Sequence, residues 1–446
     1  MQVTETQAEG LKREFKVVVP VTELGSRLDE RLASMKDEVR LKGFRPGKVP
    51  VNHLRRLFGR SAMAEIVQNM LGEVARKTLA DRGERAAAPP DFALPEDPAA
   101  TDRVLSGEDD LAYTMTYEVL PQVELGNFKT LEIERPVAPA SDAEIESRLK
   151  ELAENALTFT PYDGPATSGD RVTLSYVGKI DGEAFQGGTD ENGIVRLGSG
   201  RFIPGFEEQL EGVKSGEEKT LTVTFPAEYP AKNLAGKAAT FDVKIKEVAK
   251  PDELVIDDAL ATRLGVASLA ELRQLLAKQI ESENNTASRQ KVKRQILDKL
   301  DEMHSFPLPS RLVEQEFENI WRQLKSDREQ SGRSFADDGT TEEAAQADYR
   351  KIAERRVRLG LVLSEIGERQ KIEVTEQEQE RAVAAQLRQF PGREQALLEY
   401  FRKNPDALAS VRAPIFEEKV IDYIIELAKV TDKPVTREEL LKEDEE

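Results

Sequence analysis

Two stretches carry residue types and spacings able to do chemistry. In the first, Gly43-Phe44-Arg45-Pro46-Gly47-Lys48-Val49-Pro50, two glycines and two prolines fall within eight residues. Such a run cannot continue a helix, so it reads as a loop between two helices. Around it, from Lys36 to Arg60, stand eight basic side chains (Lys36, Arg40, Lys42, Arg45, Lys48, Arg55, Arg56, Arg60) and two acidic ones (Asp37, Glu38), a local charge of +6. A basic tip bearing a Phe suits a surface that meets RNA phosphate and a protein groove together. A plain helix–helix turn with solvated arginines carries the same pattern, and charge alone leaves both readings open.

The second stretch is Arg201-Phe202-Ile203-Pro204-Gly205-Phe206-Glu207, with Tyr176, Phe185, Tyr229 and Phe241 on neighbouring strand-like segments. These rings fit a concave pocket without a strong acid or base. They also fit the core of a small β domain. Trp321, on the helical stripe Val313 to Leu324, reads as core.

What is missing narrows the chemistry. The chain has no cysteine and only two histidines, His53 and His304. Thiolate chemistry, disulfides, iron–sulfur clusters and multi-histidine metal sites are therefore excluded. Gly198-Ser199-Gly200 is a lone G-x-G, and Gly236-Lys237-Ala238 lacks the rest of a phosphate loop. No cofactor and no metal are expected. His304 reads as a cap or a surface residue at a helix end, and His53 as a surface residue of the basic island.

The elements that must position these residues follow from hydrophobic periodicity. In 446 residues, roughly three domains are expected. Phe15, Val17 and Val19 alternate, as do Tyr113, Met115, Tyr117 and Val119, giving two strands expected to pair. Helices are expected from Val21 to Lys42 and from Val51 to Leu79, and a loop from Ala86 to Ala100. Residues 1–120 thus read as an α+β domain. Residues 121–157 read as a linker containing a helix that starts at the capping box Ser141-Asp142-Ala143-Glu144. Residues 158–250 read as an antiparallel β domain, with Asp181-Gly182 as a hairpin turn. Residues 251–446 read as helical almost to the end, with a capping box at Ser268-Leu269-Ala270-Glu271, breaks at Pro307-Leu308-Pro309, Pro391-Gly392, Asn404-Pro405 and Pro414, and a frayed acidic tail from Glu438.

Acidic side chains outnumber basic ones 83 to 64, for a formal charge of −19. Mean hydropathy is −0.52. Such a surface resists general binding to nucleic acid or anionic membrane, so any RNA contact must come from a local island. The amino terminus lacks a signal-peptide pattern, and no apolar run reaches the ~18 residues of a membrane span. A cytoplasmic protein without a membrane partner is the expectation.

In combination these features resemble the bacterial trigger factor family over essentially the whole length. Gly43 to Pro50 is similar to that family's ribosome-docking signature. Residues 165–248 resemble a prolyl isomerase of the FKBP type, through Val172 to Gly178, Phe185, Arg201 to Glu207, Thr224-Phe225-Pro226 and Gly236 to Val243. The resemblance implies a multidomain α+β architecture: a ribosome-docking domain, an FKBP-like antiparallel β domain, and an extended all-α chaperone region with arms around a cradle. It implies an ATP-independent chaperone that meets unfolded nascent chains at the ribosomal exit tunnel and isomerises X–Pro bonds. The implied partners are protein and rRNA of the large ribosomal subunit, nascent polypeptides, and a second copy of the chain off the ribosome.

Carried over residue by residue, docking falls on Gly43, Phe44, Arg45, Pro46, Gly47 and Lys48, and catalysis on Tyr176, Phe185, Ile203, Phe206, Tyr229 and Phe241. This chain departs from the family pattern in places. Pro46 stands where a Lys is common. Phe206 replaces the Trp of single-domain immunophilins, and Gln186 replaces their Asp. Around Gly193-Ile194 a further aromatic wall residue is absent or shifted.

Overall fold

The computed structural model describes residues 1–442 except 40, 42, 43, 45–47, 96, 230, 232 and 233, and the side chains at 37, 38 and 406 are likewise left undescribed. In chain order the elements are β1 (Gln2–Glu9), β2 (Lys12–Val19), α1 (Val21–Glu38), α2 (Val51–Arg82), β3 (Asp91–Ala93), α3 (Pro98–Ser106), β4 (Leu111–Glu118), β5 (Glu132–Val137) and α4 (Asp142–Asn155). Then come β6 (Phe159–Pro161), β7 (Arg171–Ile180), β8 (Glu183–Arg196), α5 (Phe206–Gln209), β9 (Glu218–Thr224), β10 (Ala238–Pro251) and α6 (Asp258–Arg263). The remainder is α7 (Leu269–Met303), α8 (Ser310–Ser331), α9 (Glu342–Gln370), α10 (Glu376–Leu387), α11 (Glu394–Lys403), α12 (Pro405–Leu427), β11 (Lys429–Pro434) and α13 (Arg437–Leu441). The chain condenses into two units. One comprises Met1–Arg135 with Gln290–Asp432, the other Pro136–Arg289 with the chain from Lys433 onward.

In the first unit an antiparallel sheet of order β1-β2-β4-β3 lies against α1 and α2. β2 and β4 pair with Phe15 opposite Met115 and Val17 opposite Tyr113, as their alternation predicts. One face of each strand is buried, and Leu24, Leu28, Leu32, Leu54, Met63 and Met70 of the two helices cover it. Helical side chains at these spacings share one face, which is why a period of 3.6 opposes a period of 2 here. Further along the chain, Val292, Ile296 and Leu300 of α7 pack with Val362 and Ile366 of α9 and with Val420, Ile421 and Ile424 of α12.

The second unit holds the other sheet, of order β6-β10-β7-β8 with β9 also paired to β10. Its β7–β8 hairpin turns at Asp181 and Gly182, both at positive φ (53° and 88°), the conformation that makes Asp-Gly a hairpin signal. The Ser141–Glu144 capping box starts α4 as expected. Leu149 of α4, Ala261 of α6 and Leu272 and Leu276 of α7 form a small separate core.

Several expectations are corrected. Residues 86–100 are not a continuous loop, for they contain β3 and the start of α3. β1 went unread because none of its residues is buried, so it has no apolar period. α1 ends at Glu38 rather than Lys42, and Val39 is already extended. The last third is not wholly helical: β11 pairs with β5, and both are short strands with little buried surface. Pro414 does not break the chain but sits inside α12. Its cost of about 3 kcal/mol is offset by packing on both sides, at Val411 and at Val420, Ile421 and Ile424. Of the acidic tail, Glu438 to Leu441 are helical in α13, which starts at a Thr436–Glu439 capping box, and residues 443–446 lie outside the described residues. His304 takes the cap reading and not the surface one: it is buried, its Nδ1 lies 2.7 Å from the Leu300 carbonyl in the last turn of α7, and Nε2 accepts the Gly126 N–H at 3.4 Å.

Candidate functional site

The six residues Tyr176, Phe185, Ile203, Phe206, Tyr229 and Phe241 all line one cavity of about 610 Å³ in the second unit. Three of the rings come from the sheet. β10 runs beside β7 with Val243 opposite Tyr176 and Phe241 opposite Gly178, which sets the Tyr176 and Phe241 rings 5.9 Å apart, edge to face. The pairing of β7 with β8 shifts between Val177, opposite Thr189, and Lys179, opposite Ala184. β8 therefore bulges through residues 185–188, and the bulge re-aims the Phe185 ring into the cavity. Gly178 and Gly188 make room for it, since a Cβ at either position would lie 2.7 Å from that ring.

Phe206, at the start of the one-turn helix α5, forms the floor and is 1% exposed. Its ring meets Phe241 edge to face at 5.3 Å and stacks on Phe202 at 5.2 Å. Across the cavity, Phe185 meets Phe225 at 5.9 Å, and Phe225 meets Tyr229 at 4.8 Å. Edge-to-face contacts suit the ring quadrupole and hold the walls at angles that leave space between them. Phe225, Phe202 and Leu234 also line the cavity. Reasoning from sequence missed them as wall residues, because Phe225 continues the alternation of Leu221 and Val223 and so reads as strand core. The departure at Phe206 keeps an aromatic floor, and the departure at Gln186 places a neutral amide on the cavity lining.

Behind the floor lies a carboxylate. Glu207 is 5% exposed and accepts hydrogen bonds from the Ser199 hydroxyl (3.0 Å) and the N–H groups of Gly200 (3.1 Å), Arg201 (3.0 Å) and Phe202 (3.2 Å). Burial pushes its pKa up, but the donors outweigh burial and hold it below the ordinary carboxylate value. Glu207 thus stays ionised and pins the backbone that presents Phe202 and Ile203. Burial, with Asp190 and Tyr229 nearby, raises the Tyr176 pKa, so its phenol stays protonated. Arg201 is the one charged side chain among the described residues lining the cavity. Ile194, where the family's aromatic wall was in question, is 62% exposed and does not line it.

Of the loop residues, Gly43, Arg45, Pro46 and Gly47 lie outside the described residues. Phe44 is 38% exposed, and its ring stands 5.2 Å from that of His53 on α2. Lys48 is exposed, while Val49 and Leu54 on the same return are fully buried and anchor it. Arg55 and Arg60 are engaged with Asp29 and Asp102, so part of the island's charge is already paired. Among the described residues there is no acidic or histidine cluster able to hold a metal ion, and no helix is long and apolar enough to cross a membrane.

Comparison with known proteins decides the family. Residues 1–152 match the family described as bacterial trigger factor protein, and residues 268–426 match its C-terminus. Trigger factors of Allorhizobium ampelinum and Brucella anthropi are each 54% identical over 445 residues, covering 100% of this chain and 90% and 93% of the relatives. That of Agrobacterium fabrum is 53% identical over 444 residues, covering 100% and 90%. The chain belongs to the trigger factor family. Residues 163–246 match the FKBP-type peptidyl-prolyl cis-trans isomerase family, and the cavity lies within that segment, so the trigger factor fold here carries an isomerase domain. A solved chain from work on "Promiscuous Substrate Recognition in Folding and Assembly Activities of the Trigger Factor Chaperone" shares the fold, with a TM-score of 0.60 at 19% identity, covering 96% of this chain and 99% of that one.

Proposed function

We propose that this trigger factor chaperone docks on the large ribosomal subunit through Gly43 to Lys48, holds nascent chains as they leave the tunnel, and isomerises their X–Pro bonds in the Tyr176–Phe206–Phe241 cavity. It works in the cytoplasm without nucleotide. Docking belongs to residues 1–120, isomerisation to 158–250 and most client holding to 251–446. Off the ribosome, two copies pair as a homodimer.

The observation that carries the isomerase mechanism is a ring-walled cavity with one charged residue at its edge. Twisting an X–Pro amide crosses a barrier of about 18–20 kcal/mol and takes tens to hundreds of seconds unaided. The planar amide is strongly dipolar through resonance, and the twisted amide is less so. Dry aromatic walls therefore disfavour the planar state more than the twisted one, which lowers the barrier between them. The Ile203 N–H takes part in no hydrogen bond among the described residues and is free to hold a client carbonyl. Phe206 supplies the floor, and Tyr176, Phe185, Tyr229 and Phe241 are the walls. No acid, base or metal enters this mechanism.

Docking is supported by an exposed Phe44 beside Lys48 in a locally basic stretch, and client holding by exposed rings in the helical region. Phe390 and Tyr400 are 51% and 54% exposed, and singly placed apolar groups on a charged background bind unfolded chains weakly and without sequence demands. Tethering at the tunnel raises their effective concentration around the client. Replacing Phe44 and Arg45 together by Ala is expected to abolish salt-sensitive co-sedimentation with ribosomes while isomerisation of a free peptide persists. Undiminished co-sedimentation would overturn the docking assignment.

A further inference from the structure

A second cavity, of about 910 Å³, shares a wall with the isomerase pocket. The shared residues are Arg201 and Phe202, which line both. Phe202 is the partition, its ring stacked on the Phe206 floor on one side. On the far side stand Ile194 from β8 and Phe159 from β6. Ile194 is 62% exposed, more than any other large apolar side chain among the described residues. Arg171 lies over the Phe159 ring at 5.0 Å.

Charge in this cavity is uneven. Three arginines line it, Arg171, Arg196 and Arg201, against two glutamates of α4, Glu151 and Glu154. Glu154 has a cation of its own in Lys150, 4.0 Å away. Arg171 reaches Glu247 at 3.3 Å, and among the described residues the Arg196 guanidinium donates to the Glu154 carbonyl oxygen, at 3.4 Å. The Arg201 guanidinium, at the junction of the two cavities, has no hydrogen-bond, ionic or ring partner among the described residues. An exposed arginine held beside a neutral aromatic pocket has no role in the isomerisation argued above. A guanidinium fork is matched to a carboxylate.

We propose that this second cavity is an extension of the isomerase site that holds the client chain beyond its proline and takes an acidic side chain there. Arg201 pairs the carboxylate, with Arg196 behind it, and Ile194 and Phe159 pack the aliphatic stem. The occupant follows from continuity with the pocket, since a chain seated on Phe206 leaves over the Phe202 partition, and from the surplus of cations at that wall. The inference rests on the cavity of Phe206 being the isomerase site. It makes the enzyme selective for prolines near Asp or Glu, a preference that the ring-walled pocket alone does not create.

The test uses the full chain and proline peptides in pairs, identical except for Glu against Gln at each of three positions on either side of the proline. For at least one position, kcat/KM is expected to favour Glu by about threefold at low salt, the size of an exposed ion pair. The preference should vanish near 1 M salt, where the screening length is ~3 Å. Arg201→Gln should bring the Glu/Gln ratio to one, Arg201→Lys should keep most of it, and Ile194→Glu should push it below one. Because each reading is a ratio within one enzyme, a variant with reduced overall activity still reports. A ratio of one at every position in the unaltered protein, or a preference that survives Arg201→Gln, overturns the proposal. Phe206→Ala separates the two readings. If it is inactive on the Gln peptides while the ratio is flat, only the extension site fails; if it stays fully active, the pocket assignment fails and takes the extension with it.

Discussion

Two aromatic assemblies in this molecule are made of the same residue types and end as different things. In the β domain, Phe206, Phe241, Phe185, Phe225 and Tyr229 meet edge to face at interplanar angles from 62° to 88°, and they enclose space. At the far end of the α8–α9 pair, Phe317, Trp321 and Phe335 lie nearly parallel, at 17° and 10°, and cations close the stack. Arg328 lies 4.0 Å over Phe335, Arg350 4.8 Å over Phe317 and Lys325 5.4 Å over Trp321. Parallel rings leave a face that a cation fills. Rings at right angles leave a corner that a ligand can fill. Counting aromatics does not distinguish a brace from a pocket; the prevailing ring angle and the neighbouring charge do, even though Phe202 stacks on Phe206 at 15° in the pocket wall and Trp321 meets Tyr349 at 63° in the brace.

The sharpest way to break this contrast is to remove the floor of one assembly and the centre of the other. Phe206→Ala should lower kcat/KM on proline peptides by about 10²-fold, since the walls then no longer hold the amide in place. Phe206→Leu, which keeps most of the volume, should still fold while losing much of that rate, and this separates chemistry from stability. A Phe206→Ala enzyme of ordinary activity would make the β-domain rings a core after all.

Trp321→Ala should do the reverse. Removing the middle ring of a partly exposed stack costs about 2–3 kcal/mol of local stability, seen as faster amide exchange across residues 310–366. Isomerase activity should be unchanged. If exchange in that segment were unaffected, the stack would add nothing to a hairpin held by Val313, Phe317 and Ala353 with the aliphatic side chains Leu308, Ile320 and Val357 packed on them.

How far these regions are legible from sequence depends on where their information lies. The Gly43–Pro50 signature is contiguous, so eight residues announce it. The pocket draws on β7, β8, α5, β10 and the segments that follow β8 and β9, and no spacing within any one of them shows that Tyr176 and Phe241 touch. Its residues were found through the resemblance to FKBP-type domains, and alternation by itself left them as core. Phe225 was lost to that alternation. β1, β5 and β11 were illegible for a different reason: strands with hardly any buried side chain have no apolar period to read. Pro414 misled because a local rule was overridden by packing on both sides. For His304 the cap was legible, since Leu300 lies four residues away, and the burial was not, since it depends on contacts such as that with Gly126, 178 residues away.

The remaining contrast is in the sign of the charge that orders each assembly. Cations brace the helical stack from outside, whereas a buried anion, Glu207, pins the pocket from behind. Its folded-state pKa lies below the ordinary value of 4.5, so it stabilises the domain fully above that pH and ceases to do so as pH falls through the depressed value. Acidification below about pH 4.5 should thus loosen the isomerase domain through this residue. Glu207→Gln should cost about 1–2 kcal/mol at neutral pH, because an amide oxygen replaces part of a charge-assisted set of four bonds. It should also flatten that share of the acid dependence, measured as the difference in urea midpoint between the two proteins from neutral pH downward. The two midpoints should converge as pH falls, and a gap that stays constant would mean that Glu207 acts by packing and not by its charge.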